Sequence, residues 1–480
     1  MASQQPTRPN IVFILSDDHG PWGLGCYGNR EIRTPNLDRL AAEGTRFKYF
    51  FCTSPVCSPA RASLLTGRIP SQHGVLDWIR EGNVGDDAVE YLAGQTGYTE
   101  VLAANGYVCD MSGKWHLGDS VHPQKGFSHW YVHQCGGGQY YNAPMIRDGK
   151  CIDEPGYVTD NITDDALACL DDRAGDDSPF YLSVHYTAPH SPWIDSHPAD
   201  IVASYDDCPF ESCPQEPKHP WASVHCAWPN PRESLKGYFA AVTGMDTNIG
   251  RILTKLTDLG LRENTLVCYL SDNGFNCGHH GIWGKGNGTF PQNMYENSVR
   301  VPAIMSQPGR IPQGAACDAL VSGYDFMPTL LDYVGLDNPE ADGLPGKSFL
   351  PILLGERGDQ REDVVVFDEY GPVRMIRTRD MKYVHRYPYG PHELYDLVDD
   401  PDERANLVDD PERQSVVREM RSRLEAWFVR YVDPGVDGLR EAVTGRGQLY
   451  LAGPGGSARR SFAPKLDDDP EYVLTKGEDT

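Results

Sequence analysis

Long apolar stretches are scarce in this sequence. The N-terminal MASQQPTRPNIVFIL holds one apolar run, residues 11–15, too short for a signal-peptide core or a membrane span. That run reads as a first buried strand, and a cytoplasmic protein is the expectation, although a trimmed leader would leave the same N-terminus. Basic residues are also in deficit: 43 Lys and Arg stand against 68 Asp and Glu, a net charge of −25. Nucleic acid and anionic membrane surfaces are therefore excluded as main partners. An anionic small molecule would be repelled at long range too, and needs a bound cation with local Lys, Arg and His to hold it. The 13 cysteines are odd in number and lack a framework spacing, which fits reduced thiols better than disulfides. Internal repeats and low-complexity tracts are absent. What is present is a chain of 480 residues, 40% hydrophobic, able to bury a sizeable core.

Strand and helix signals alternate through most of the chain. Residues 11–15 (IVFIL), 180–185 (FYLSVH) and 265–270 (TLVCYL) read as buried strands. Residues 34–44, 61–67 and 99–105 have helical spacing, and 235–259 form a long helical stretch. This alternation predicts an α/β fold, a mainly parallel sheet flanked by helices on both faces. After about residue 355 the pattern changes to short strands with tight turns at 364–368, 373–378, 382–387 and 393–397, then a helix near 412–429. A catalytic domain over 1–355 and a smaller C-terminal antiparallel-sheet subdomain over 356–480 are expected. From about Asp433 the chain is rich in Gly and charge and reads as an arm or partly disordered tail.

Two adjacent oxygen-bearing pairs follow strand candidates. Asp17 and Asp18 come directly after the first, and Asp272 and Asn273 follow TLVCYLS. Ligands collect outside the carboxyl ends of strands in open α/β sheets, so the two pairs can converge. Three carboxylates and an amide oxygen make a hard site suited to Ca²⁺ or Mg²⁺ rather than zinc.

Beside these lies the run Cys57-Ser58-Pro59-Ala60-Arg61, continued to Arg68 as CSPARASLLTGR. It resembles the signature of the type I sulfatases, formylglycine-dependent enzymes of the alkaline phosphatase superfamily. GYVCDMSGKWH, residues 106–116, resembles the family's second signature, a G-Y followed by G-K-x-H; Cys109 stands where Ser or Thr is more frequent. APHSP (188–192) resembles the family's P-H segment, favouring His190 over His185, and Lys285 in HHGIWGKG resembles a second sulfate-binding lysine. MYENSVRVP (294–302) and SGYDFMPTLLDYVG (322–335) continue the likeness, which spans most of residues 9–407.

The resemblance implies an alkaline-phosphatase-like fold and a sulfate monoester hydrolase. It implies that a maturation enzyme oxidises Cys57 to formylglycine, whose hydrate carries two hydroxyls on one carbon. One would attack sulfur and displace the alcohol; deprotonation of the other would expel sulfate and restore the aldehyde, splitting a hard hydrolysis into two steps. It further implies calcium, held by Asp17, Asp18, Asp272 and Asn273 and completed by the residue-57 oxygen. Asp272 would orient or deprotonate the hydrate. Arg61 and Lys114 would neutralise sulfate charge, His116 would take the second hydroxyl's proton, and His190 with Lys285 would assist the leaving oxygen. A sulfated sugar is the expected substrate, by analogy with the family. A phosphonate monoester or phosphodiester hydrolase on the same scaffold is the nearest alternative. A catalytically silent binding protein with unmodified Cys57 is another, and the extra ligands of a two-zinc phosphatase are not evident.

Cys208, Cys213, His219, His225 and Cys226 cluster among prolines at spacings that match no common zinc pattern,. A loop over the active-site mouth is the preferred reading. Tyr140, Tyr141 and Trp193 are candidates for stacking on a sugar or aryl ring, or else core aromatics.

Overall fold

A computed structural model describes residues 8–222, 230–356, 366–456 and 460–464. Its centre is a ten-stranded mixed sheet built from β1 (Asn10–Ser16), β2 (Thr45–Phe51), β3 (Val108–Lys114), β4 (His129–His133), β5 (Tyr141–Arg147), β6 (Lys150–Tyr157), β7 (Phe180–His185) and β8 (Thr265–Ser271). After a short β9 (Asn276–Cys277) and β10 (Trp283–Gly284), β11 (Arg300–Ser306) and β12 (Ala315–Ser322) complete it. The spatial order is β12-β2-β11-β8-β1-β7-β3-β4-β5-β6. The central pairs β8–β1, β1–β7, β7–β3 and β3–β4 are parallel, whereas β11 and the β5–β6 hairpin run antiparallel.

Alternation along β1 explains why helices cover both faces. Ile11, Phe13 and Leu15 belong to one core cluster with Leu64, Leu65, Leu102, Phe326 and Leu330. Val12 and Ile14 belong to the other with Leu37, Leu40, Ile162, Met245 and Ile252. The helices Cys57–Thr66, Tyr98–Ala104 and Phe326–Tyr333 thus lie on one side, and Pro35–Ala42, Val158–Arg173 and Pro231–Asp258 on the other. With both faces dry, β1 and β8 are buried along their whole length, as a central parallel strand requires,.

The small antiparallel sheet comprises β13 (Val366–Tyr370), β14 (Val373–Arg377), β15 (Met381–Arg386) and β16 (Glu393–Asp396), in that order. Part of the expected strand at 364–368 falls outside the described residues. The helix Gln414–Tyr431 packs on this sheet through Met420, Leu424 and Phe428. The reading of the chain after Asp433 as an arm needs correction. Val443, Gln448, Ala452 and Phe462 are buried, and the Gln448 amide bonds Leu76 N–H and the Gly74 carbonyl. Scattered apolar anchors between glycines hold this segment with almost no regular structure. Residues 465–480 lie outside the described residues. Among the described residues no helix is long and apolar enough to cross a membrane.

Candidate active site

Adjacent parallel strands bring the two oxygen pairs together. Ser16 at the end of β1 is the register partner of Ser271 at the end of β8, so the residues that follow emerge side by side. Oxygens of Asp17, Asp18 and Asp272 lie within 4.8 Å of one another, and all three residues are buried. Asp18 takes a left-handed backbone, φ 65°, a conformation that costs a non-glycine residue about 1 kcal/mol or more and recurs at functional sites. Its N–H donates to Asp272 Oδ1 at 3.3 Å. Asn273 Nδ2 donates to Asp18 Oδ1 at 2.7 Å, while its Oδ1 is buried with no partner. A buried acceptor is rarely left unpaired without cause. Three carboxylates and one spare amide oxygen fit a hard divalent cation.

Cys57 opens the helix Cys57–Thr66 after an extended Val56, and every residue of that helix is buried. Its Sγ lies 3.4 Å from Asp17 Oδ1 and 2.7 Å from Lys285 Nζ. Burial, then the charge of Asp17, pushes the thiol up to about 12. A protonated thiol is a weak nucleophile at neutral pH. Asp17, not Asp272, is thus the carboxylate bonded to this sulfur; Asp272 Oδ2 is committed to Arg61 Nε at 2.8 Å. Arg61 sits one turn beyond Cys57, and its Nη1 also donates to the Lys114 carbonyl at 2.9 Å.

Three cations balance the three carboxylates. Lys114, the last residue of β3, pairs with Asp17, and Lys285 Nζ donates to Asp18 Oδ1 at 2.5 Å. Burial would raise Asp17, but Lys114, His190, Lys285 and Arg61 hold it well below the usual carboxylate range. Burial and then the charge of Asp17 instead push Asp272 up to about 6.

The two histidines differ in what they present. His116 Nε2 lies 2.8 Å from the Ile79 carbonyl, and its Nδ1 is buried without a partner. A carbonyl only accepts, so Nε2 carries the proton and Nδ1 is a bare lone pair, the form a base needs. Burial, reinforced by Lys114, keeps this ring neutral. His190 is held the other way. Its Nδ1 faces the Ser191 carbonyl at 2.7 Å, and Nε2 lies 3.8 Å from Asp18 Oδ2. Burial lowers its pKa against the pull of Asp17 and Asp18. His185 stands behind, with Nδ1 3.2 Å from the Lys114 carbonyl and its ring against Phe13.

Some candidates move to other roles. Trp193 and Tyr140 are core residues rather than stacking surfaces: Trp193 packs among Tyr238, Phe275 and Trp283, and Tyr140 OH supports the His190 carbonyl at 2.7 Å. Tyr141 is exposed and rests on Tyr157. Of the Cys/His segment, Cys213 is a core residue and His219 bonds Tyr295 OH; His225 and Cys226 lie outside the described residues. Glu216 and His219 bond backbone at Gly278 and Gly281, so the segment runs beside the loop that carries Lys285. The twelve described cysteines are free thiols. Sequence reading missed the Ile79 carbonyl and the glycines 136–138, which abut His116 and His190. Three consecutive glycines, two residues beyond the end of β4, were the available signal for the second.

Comparison with known proteins follows the same lines. The family model described as Sulfatase matches residues 9–336, and one described as N-sulphoglucosamine sulphohydrolase, C-terminal, matches 278–429. The N-acetylglucosamine-6-O-sulfatase of Bacteroides thetaiotaomicron is 29% identical over 530 residues, covering 93% of this chain and 91% of that protein. The N-acetylgalactosamine-6-sulfatase of Canis lupus familiaris is 34% identical over 413 residues, covering 80% of this chain and 73% of that one. A solved structure in complex with its substrate D-glucosamine-2-N,6-O-disulfate superposes with a TM-score of 0.77 at 27% identity. It covers 90% of this chain and 100% of the other.

Proposed function

The chain belongs to the sulfatase family and is a sulfuric ester hydrolase, and from that premise we propose that it cleaves a carbohydrate sulfate ester using formylglycine matured from Cys57 and a calcium ion held by Asp17, Asp18, Asp272 and Asn273. The observation that carries the reading is the buried cluster around Cys57. Its sulfur touches Lys285 and Asp17, while Asn273 Oδ1 and His116 Nδ1 are left without protein partners. When present, the hydrated aldehyde would supply the nucleophilic hydroxyl, and the cation would draw charge from the sulfate oxygens.

The remaining work falls to side chains of this chain. Lys114, Lys285 and Arg61 bring positive charge to a site where a net charge of −25 would otherwise repel sulfate. In a buried setting such charges act far more strongly than in water. His116, with Nδ1 free and the ring neutral, is set up to take a proton during sulfate release. His190 must first be protonated at Nε2 to serve as the acid for the leaving oxygen. Its lowered pKa means that assistance to a poor leaving group weakens as the pH rises. Lys285, raised well above its usual range by Asp18 and Cys57 against the cost of burial, stays charged and supports it.

A 6-O-sulfated hexosamine is the substrate class favoured by the relatives' names. The experiment compares sulfate release from N-acetylglucosamine 6-sulfate and its galacto counterpart with alcohol release from a phosphonate monoester, with calcium present. Turnover should be fastest on a sugar sulfate. Faster cleavage of the phosphonate would transfer the assignment to phosphonate hydrolysis, and no turnover of any of them would reject it.

A further inference from the structure

Lys114 ends β3, and its register partner on β4 is His133. His133 is fully buried, with Nδ1 3.0 Å from the Cys135 carbonyl oxygen and 3.2 Å from the Cys135 amide nitrogen. Its Nε2 is buried without a partner. Burial pushes its pKa down to about 4, so the ring is neutral near pH 7.

Beyond Cys135 come three glycines, and each abuts a different imidazole. A Cβ on Gly136 would stand 2.2 Å from Cε1 and 2.3 Å from Nε2 of His116. One on Gly137 would stand 3.2 Å from Nδ1 of His190, and one on Gly138 3.8 Å from Cε1 of His133. The His116 ring therefore lies against bare backbone, closer than any side chain would permit.

Successive glycines are the costliest backbone to order, because each has the widest conformational freedom to lose. Such a run holds two rings steady only if its ends are fixed. At one end His133 grips Cys135, and Gln134 N–H donates to the Pro144 carbonyl at 2.9 Å. At the other, Tyr140 is buried with its hydroxyl on the His190 carbonyl at 2.7 Å.

We propose that His133 is a positioning residue: through Nδ1 it anchors Cys135 and so seats Gly136 and Gly137 against the rings of His116 and His190. The inference rests on the roles proposed above for those two histidines. His133 itself needs no contact with substrate.

The imidazole's two nitrogens can be imitated separately. Asparagine offers a polar atom near Nδ1, and glutamine one near Nε2. Crystal structures of His133→Ala, His133→Asn and His133→Gln should be solved and their rates compared on a sugar sulfate and on nitrophenyl sulfate. His133→Asn should keep residues 135–138 and both rings in place and retain a rate close to wild type. His133→Gln and His133→Ala should release the run and shift the rings. Displacements of about 1 Å can cost up to about 10²-fold, so the sugar sulfate rate should fall at least tenfold. Nitrophenyl sulfate, whose leaving group needs little help from His190, should lose less; a general loss of folding would lower both alike. Unmoved rings in His133→Ala and His133→Gln would overturn the proposal. So would rescue by glutamine and not asparagine, which would make Nε2 the working atom. If His133→Ala does not fold, the asparagine and glutamine pair decides. The crystal readout stands apart from turnover. A wild-type protein inactive on every sulfate ester would reject the proposed function, while the ring positions in the variants would still decide the role of His133.

Discussion

Two of the molecule's clusters of buried charge differ in what surrounds the groups they leave unpaired. At the junction of the large and small sheets, Lys382 bonds Glu403 at 2.6 Å, Glu296 at 2.9 Å and the Met294 carbonyl at 2.8 Å. Arg377 reaches Glu296 at 3.3 Å, and Glu403 accepts the Glu296 N–H at 2.7 Å. Those charges are consumed internally. The neighbouring Asp368 has two buried, unpaired oxygens, and burial pushes its carboxyl well above the usual carboxylate range, but it faces no nucleophile position. Around Cys57 the charges also balance, yet Asn273 Oδ1, His116 Nδ1 and Arg61 Nη2 remain buried without partners. A buried charge cluster is by itself as compatible with architecture as with chemistry. Spare donors and acceptors of both kinds, gathered around one nucleophile position, separate the two cases.

Substitutions in the two clusters should therefore fail in different ways. The largest effect on turnover is expected for Asp272→Ala, which removes a proposed calcium ligand and the partner of Arg61. Loss of one electrostatic partner alone is worth about 10²–10³ in rate, and because bound calcium should be lost with it, the combined fall should exceed about 10⁴. Stoichiometric calcium retained in both Asp17→Ala and Asp272→Ala would show that these carboxylates are not the ligands.

Next comes His190→Ala. General acid assistance is worth about 10²–10⁴ where the leaving oxygen needs it. The maximal rate on an alkyl or sugar sulfate should drop by about that much, and far less on nitrophenyl sulfate. Equal losses on both would make His190 a sulfate-binding residue and not an acid.

Lys382→Met probes the other cluster. Stranding Glu296 and Glu403 should cost about 3–5 kcal/mol of stability, read from denaturant midpoints, while the rate per folded molecule stays unchanged. A large loss of turnover in the folded variant would erase the distinction between the clusters.

Per pH unit, the smallest effect is a slope. Burial holds His73 down to about 3 in the folded chain, so between roughly pH 6.5 and 3 the unfolded chain binds a proton that the folded one refuses. Stability must then fall as the pH falls through that window, by up to about 1.4 kcal/mol per pH unit for this one group. His73→Asn keeps an acceptor for the Val75 N–H, which His73 Nδ1 takes at 3.1 Å, and should flatten the acid limb. An unchanged slope would mean that His73 titrates freely in the fold.

The central sheet and the meeting of the two oxygen-bearing pairs were legible because both depend on short, local patterns. IVFIL and TLVCYL are apolar runs, each followed by a serine and then by Asp17-Asp18 or Asp272-Asn273, and parallel neighbours put the pairs together. The helix Val158–Arg173 was missed because its acidic residues mask the buried Val158, Ile162, Ala166 and Leu170 at four-residue spacing. The helix containing Cys57 begins four residues before the apolar spacing suggests, since its first turn is buried against the site and not against a core stripe. The C-terminal segment was misread for the converse reason: Val443 and Phe462 anchor it singly, with no period to detect. His133 gave no sign at all. Its partner is the backbone two residues on, and the glycines beyond that partner meet His116 and His190 only in the fold.

The proposed chemistry turns on one side chain. As a buried thiol pushed up to about 12, Cys57 makes a poor nucleophile, and the mechanism requires its conversion to an aldehyde. Mass spectrometry of the proteolytic peptide containing residue 57, taken from protein with verified sulfatase turnover, tests this directly. The expected result is loss of sulfur and gain of an aldehyde that forms an adduct with a hydrazine reagent. Full turnover from protein carrying only the free thiol at Cys57 would contradict the account.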